Sequence, residues 1–183
     1  MARITPVDSS NTPQGSVPLL EGVKAKIGKV PNLFGTLAHS PAAFESYLAS
    51  GEALGKGELG AALHEQIAVA IAGANACGYC ASAHTAIGKM HGLSAEELAK
   101  NLEGESDDPR ARAAIRFARA VVVKRGFVSD ADIQDVRSAG LGDGAIAEIV
   151  ALVAHNTFTN YFNHVAQTAI DFPEVKVGDP VSA

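Results

Sequence analysis

The only two cysteines of this 183-residue chain, Cys77 and Cys80, stand three positions apart. His84 follows the second by four residues, and Glu65 precedes the first by twelve. Two nucleophiles, an imidazole and a carboxylate thus share the short stretch Glu65 to His84. Spacings of three, four and seven put Cys77, Cys80 and His84 on one helical face, with about 5–6 Å between adjacent Cβ atoms. That is close enough for proton exchange and, with a small adjustment, for a disulfide. A bridge over two intervening residues gains little loop entropy, so it is a poor staple and a good redox couple.

The same residues allow other readings. Cys77, Cys80, His84 and His91 would supply four zinc ligands, but a structural zinc site usually joins two separate ligand pairs, and no second pair of cysteines exists. No metal is therefore expected. Free cysteines also pack as small inert hydrophobes, and a permanent bridge suits an oxidising compartment that nothing in the sequence indicates.

The element that must position the thiols follows from local composition. After the apolar run Ile67 to Ala74, Asn75 and Gly78 interrupt the best helix formers. One helix should end near Ala74 and a second begin around Ala76 or Cys77. Both cysteines then lie in a first helical turn, where unpaired N–H groups and the positive end of the macrodipole favour a thiolate.

Along the rest of the chain, residues 1 to 18 are rich in Pro, Gly, Ser, Thr and Asn and read as an irregular arm, disordered or lying on a neighbouring subunit. Residues 19 to 173 read as a single helical domain. Its helices are expected from Leu19 to Ile27, briefly from Pro31 to Leu37, and from a Ser40-Pro41 start to Leu54. The motif helix should end at Gly92, after which Ser94 and Glu97 suggest a capping box. Asp108-Pro109 starts a helix to Lys124 that carries Arg112, Arg116 and Arg119 on one face, either a solvated face or a guide for an acidic partner. Ser129 opens another helix, and a long one spans about Asp143 to Ile170, stopped by Asp171-Phe-Pro173. Residues 174 to 183 form an extended tail. Every segment has a helical period and none alternates like a strand, so the fold class is all-α.

Sliding the chain by 83 residues aligns Glu65 with Glu148, Cys77 with Asn160, Cys80 with Asn163 and His84 with Gln167. This suggests a degenerate internal helical repeat whose second copy lacks the thiols. His164, in a cluster with Asn160, Tyr161 and Asn163, is the best second-line candidate outside the motif, and Asn160 and, within the motif, Tyr79 are further ones. His155 has no assignment, and His39, His64 and His91 read as caps or surface residues.

The spacing Glu-x11-Cys-x2-Cys-x3-His resembles the active-site motif of the AhpD-like alkylhydroperoxidases, within the carboxymuconolactone decarboxylase superfamily. Val30-Pro-Asn-Leu-Phe34, Leu37-Ala-His-Ser-Pro41 and Asn160-Tyr-Phe-Asn-His164 resemble a peroxidase-related subgroup, so the likeness covers roughly residues 20 to 173. It implies an AhpD-like fold, Cys80 as the thiol that attacks peroxide and Cys77 as the more exposed resolving thiol. It further implies that His84 activates Cys80 and that Glu65 is the proton-relay carboxylate. One departure is Tyr79, where better-known members carry histidine; a phenol of pKa near 10 is a weaker proton carrier at neutral pH. The implied partners are a hydroperoxide and a lipoyl-bearing or thioredoxin-like dithiol protein, and the implied assembly is a trimer or hexamer. No cofactor is called for.

A net charge of −5, 5% aromatic residues and no Trp argue against nucleic-acid binding. No apolar run approaches a membrane span, and Met1-Ala-Arg-Ile-Thr-Pro lacks an apolar signal core, which directs the expectation to the cytoplasm. Two rival functions stay open beside a thiol-dependent hydroperoxide reductase. One is a carboxymuconolactone decarboxylase-like enzyme; the other is a redox-sensing or interaction protein without significant turnover.

Overall fold

The computed structural model describes residues 2–181, and among them the chain forms nine α-helices, one 3-10 turn and no strand. The all-α class is what the chain adopts. The 3-10 turn at Gln14–Ser16 leads into α1 (Val17–Ile27), α2 (Asn32–Leu37), α3 (Pro41–Leu54), α4 (Ala61–Ala74) and α5 (Gly78–Met90). Then follow α6 (Ala95–Glu103), α7 (Pro109–Val123), α8 (Asp130–Ser138) and α9 (Asp143–Ala166).

Apart from His64, Glu65 and Gln66, helix α4 is apolar, and ten of its fourteen residues are buried. It lies at the centre, against α5, α6, α7 and α9. One core joins Ile67 and Ile71 of α4 to Phe117 of α7 and to Ile149 and Leu152 of α9. A second gathers Leu33, Leu37, Phe44, Tyr79 and both cysteines. Each fully buried Ile or Leu contributes about 1.5–3 kcal/mol. Gly73 is what lets α6 close on α4: a Cβ there would stand 2.2 Å from the carbonyl oxygen of Leu102.

Local chemistry sets most boundaries. The side chains of Ser40, Ser94, Asp108 and Ser129 each cap the helix that follows. At Ser129 and Asp132 the reciprocal box is complete. At Ser94 only half of the expected box forms, because the Glu97 carboxylate turns away to accept from Gln66, Asn101, Ser106 and the backbone of Asp107. Arg116 pairs with Glu105 at 2.7 Å and Arg119 donates to the Leu102 carbonyl, so two of the three arginines on α7 are engaged within the chain.

Three segments depart from the sequence expectation. α9 ends at Ala166, short of Ile170, with Gln167 in the left-handed region at φ 49°. Leaving the helix there lets Ala169 accept from the Asn32 side chain and brings the Asp171 carboxylate to the Tyr79 hydroxyl and the Asn32 N–H. The N-terminal arm lies on its own chain: Arg3 and Ile4 donate to the Ala166 carbonyl, and Val7 donates to Gly35. The register of 83 residues pairs units of unlike build, since α9 runs unbroken through the positions matching the break between α4 and α5. Residues 174–181 of the tail form no helix or strand. They cross the start of α5, where Val175 N–H donates to Ser82 Oγ at 2.9 Å and Val181 N–H donates to the Ala74 carbonyl at 3.0 Å.

Candidate active site

The break between α4 and α5 places the thiols. Ala76 takes φ 53°, and Cys77 is the N-cap of α5. In that position its Sγ accepts the Cys80 backbone N–H at 3.4 Å, the place a serine or aspartate oxygen usually takes. Both cysteines are free thiols and both are buried, at 1% and 2% exposure. Neither thiol is open to solvent, and Val175 and Val177 of the tail pack against their cluster.

The two thiols are unequal. A hydrogen bond from the Cys80 thiol is the main influence drawing the Cys77 pKa down; burial opposes it, and the Cys80 N–H, Asn163 and the positive charge of His84 assist. Burial is the main influence pushing Cys80 well up, reinforced by Cys77. Of the two, Cys77 is therefore the thiol that gives up its proton more readily. Asn163 on α9 holds Nδ2 at 3.2 Å from Cys80 Sγ and 4.0 Å from Cys77 Sγ.

His84 Nδ1 lies 2.8 Å from Glu65 Oε2. Burial alone would raise the Glu65 pKa, but the charge of His84 and hydrogen bonds from His64 and His84 overcome it and hold the carboxyl at about 2. For His84, burial works downward and Glu65 more than offsets it, so the imidazole titrates above its ordinary value. Each partner thus favours the charged form of the other. Cys80 and His84 open on one cavity of about 360 Å³ walled by Leu33, Phe34, Tyr47, Ile87 and Phe172, which suits a small apolar molecule. A larger cavity of about 550 Å³, between α1 and α3, shares Phe34 and Tyr47 with it but reaches neither cysteine.

Of the remaining candidates, Tyr79, His164 and His155 fall outside the reacting group, whereas Asn160 joins Asn163 in the hydrogen bonding that opposes the rise of the Cys80 pKa. The Tyr79 hydroxyl donates to Asp171 at 2.8 Å and accepts the Leu33 N–H at 3.1 Å, and burial raises its pKa far above the ordinary value. It is a strut between α5, α2 and the tail. Asn160 is fully buried and accepts from Asn75, which fixes the helix break. His164 is exposed, 3.4 Å from the Ala76 carbonyl. His155 stacks on Tyr47 at 4.4 Å, and burial first, then the charges of His84 and His64, hold its pKa down at about 4. His91 caps the far end of α5, and among the described residues no three His, Cys, Asp or Glu side chains converge as a metal site. Sequence reasoning missed the roles of Asn163, Tyr47 and His64. The 83-residue register did align Asn163 with Cys80, and that was its signal.

The carboxymuconolactone decarboxylase family model matches residues 41–120, from α3 into α7. An uncharacterized peroxidase-related protein with an alkylhydroperoxidase AhpD core, from Ralstonia eutropha JMP134, superimposes with a TM-score of 0.80 at 28% identity, over 93% of this chain and 94% of that one. Another peroxidase-related protein, from Silicibacter sp. TM1040, gives a TM-score of 0.80 at 23% identity, over 91% and 92%. The debrominase Bmp8, solved as a variant in complex with 2,3,4-tribromopyrrole, shares the fold with a TM-score of 0.78 at 22% identity, over 93% and 92%. No curated protein matches the sequence.

Proposed function

For a chain that is an AhpD-like member of the carboxymuconolactone decarboxylase superfamily, we propose the activity of a thiol-dependent hydroperoxide reductase acting on alkyl hydroperoxides. The observation that carries this reading is that the Cys80 thiol and the Glu65-bound His84 imidazole open on the same apolar cavity. The Cys77 thiolate takes the Cys80 proton as Cys80 attacks the outer oxygen of the hydroperoxide and the O–O bond breaks. His84 gives its proton to the departing alkoxide. Cys77, now a thiol, attacks the Cys80 sulfenic acid, and its proton leaves with the hydroxyl as water. The products are an alcohol, water and the Cys77–Cys80 disulfide. A dithiol protein, lipoyl-bearing or thioredoxin-like, returns two electrons and two protons. Glu65 keeps His84 charged, and Asn163 stabilises whichever sulfur carries the charge.

The proposed setting is a cytoplasmic homo-oligomer, a trimer or hexamer; among the described residues no helix is long and apolar enough to cross a membrane. The test is steady-state consumption of a small organic hydroperoxide with a dithiol reductant. Wild type should turn over and Cys80→Ser should not, while Cys77→Ser should allow a single stoichiometric oxidation. Turnover of a carboxylated lactone that survives substitution of both cysteines would point instead to decarboxylase chemistry.

One observation favours a second reading. Phe34, Tyr47, Tyr79 and Phe172 give the cavity aromatic walls, which suit a halogenated ring such as the ligand of the debrominase Bmp8. Two thiols and an aryl bromide would yield the disulfide, the dehalogenated ring and hydrogen bromide. Cys80-dependent bromide release from 2,3,4-tribromopyrrole, without hydroperoxide turnover, would select it.

A further inference from the structure

Besides Cys80 and His84, the polar side chains in the wall of the reaction cavity are Lys29, Tyr47, Tyr79 and Thr159. Lys29 and Tyr79 are held by Asp171, and the Thr159 hydroxyl donates to the Asn156 carbonyl. Tyr47 is what remains. Among the described residues its hydroxyl has no hydrogen-bond partner, and no step of the reaction uses it. Tyr47 as a residue is partly exposed, yet its hydroxyl lies deep: burial is the main influence raising its pKa far above the ordinary phenol value, and the negative charges that Cys80 and Glu65 can carry add to it. A phenol so placed keeps its proton and offers its O–H. The ring is held by packing alone, stacked on His155 at 4.4 Å and tilted against Phe34 at 5.8 Å and Phe158 at 6.2 Å. His155 is in turn fixed by the Ser50 hydroxyl, 3.1 Å from its Nδ1. Buried polar groups are as a rule bonded, so an idle donor in the wall of this cavity calls for a ligand that supplies the acceptor.

We propose that the Tyr47 hydroxyl is a catalytic hydrogen-bond donor to the inner oxygen of the bound hydroperoxide, the oxygen that leaves as alkoxide. This rests on the reductase reading and deepens it. With the outer oxygen at Cys80 and the alkyl group against the apolar wall, the inner oxygen is the polar atom of the substrate still to be met. As the O–O bond breaks, its electron pair passes to that oxygen. His84 supplies the proton, and Tyr47 keeps its own. The phenol therefore makes and breaks no covalent bond. It meets negative charge as that charge develops, as a preorganised donor in an oxyanion site does.

The test compares wild type with Tyr47→Phe, which removes the oxygen and keeps the ring. Fully reduced protein is mixed in stopped flow with an excess of tert-butyl hydroperoxide or of peracetic acid, and the loss of free thiol is followed. With tert-butyl hydroperoxide the variant should slow at least about tenfold, toward the roughly 10²–10³-fold that loss of one oxyanion donor brings. With peracetic acid the loss should be clearly smaller, because the leaving acetate spreads its charge over two oxygens. The urea midpoint should hold or rise, since no bond within the chain is lost. Reduction of the diamide-formed Cys77–Cys80 disulfide by dithiothreitol should keep its wild-type rate, since no alkoxide leaves in that step. Tyr47→Phe at the wild-type rate with tert-butyl hydroperoxide would overturn the proposal while the reductase reading stands. An equal loss with both oxidants, or a lowered urea midpoint with slower disulfide reduction, would overturn it too and assign the phenol to packing. A wild type oxidised no faster than free dithiol ends the reductase reading, and the role of Tyr47 with it.

Discussion

The lowered Cys77 pKa and the hydrogen bonding of both sulfurs depend on a few donors, so single substitutions should move the chemistry. Asn163→Leu keeps the volume at α9 and removes the N–H that both sulfurs share. A hydrogen bond to a charged group contributes about 1.5–3 kcal/mol, so hydroperoxide turnover should fall at least about tenfold and thiolate absorbance should appear at higher pH. Glu65→Gln should cost about 3 kcal/mol, the scale of breaking one side of a buried ion pair, and burial would then return His84 to the neutral form. The wild-type pair also sets a pH window. The depressed Glu65 pKa contributes stability that is complete above its ordinary 4.5 and drains as pH falls toward about 2. The raised His84 pKa contributes stability complete below 6.5 and lost as pH rises through the folded value. Urea melts across pH should therefore place the pair's full contribution between about 4.5 and 6.5, with Glu65→Gln flattening the curve.

At the scale of elements, two contacts govern how the helix break is framed and covered. Gly73→Ala would drive a Cβ into the Leu102 carbonyl and should destabilise by about 1–3 kcal/mol, read as a lowered urea midpoint. Truncation after Pro173 removes Val175 and Val177 from the cluster around Cys77 and the bond to Ser82. Labelling of Cys77 by a small disulfide reagent should then accelerate several-fold with the helical circular dichroism unchanged; an unaltered rate would mean that the tail does not limit access. These elements differ in how far the sequence discloses them. Helix starts at Ser40-Pro41, Asp108-Pro109 and Ser129 were legible because a cap and its first turn are neighbours in sequence, and so was the break at Asn75 to Gly78. The end of α9 was not, since Gln167 leaves the helix to satisfy Tyr79 and Asn32 more than eighty residues away. Nor was His64, which reads as a surface residue until α3 and α5 close a cavity around it.

At the scale of the whole molecule, α9 has two faces with opposite demands. One carries the buried Asn160 and Asn163, which meet the helix break and the thiols. The other runs as a line of exposed apolar side chains, Val150, Ala154, Phe158, Tyr161 and Val165, through four helical turns. Single exposed apolar residues are ordinary, but a continuous stripe on the helix that backs the active site is the kind of surface a second copy of the chain buries. Val165→Arg tests this with little harm to folding, since a cation near a helix C-terminus is favourable. In sedimentation velocity the wild type should run heavier than a single chain of 18.8 kDa, and Val165→Arg should shift toward it. The same runs separate the reductase from the redox sensor. Reduced and oxidised protein should sediment alike if the disulfide is only a catalytic intermediate, because Cys77 and Cys80 lie on the far side of α9 from the stripe. A change of assembly on oxidation, with hydroperoxide consumed no faster than by free dithiol, would instead assign the cysteines to control of that interface.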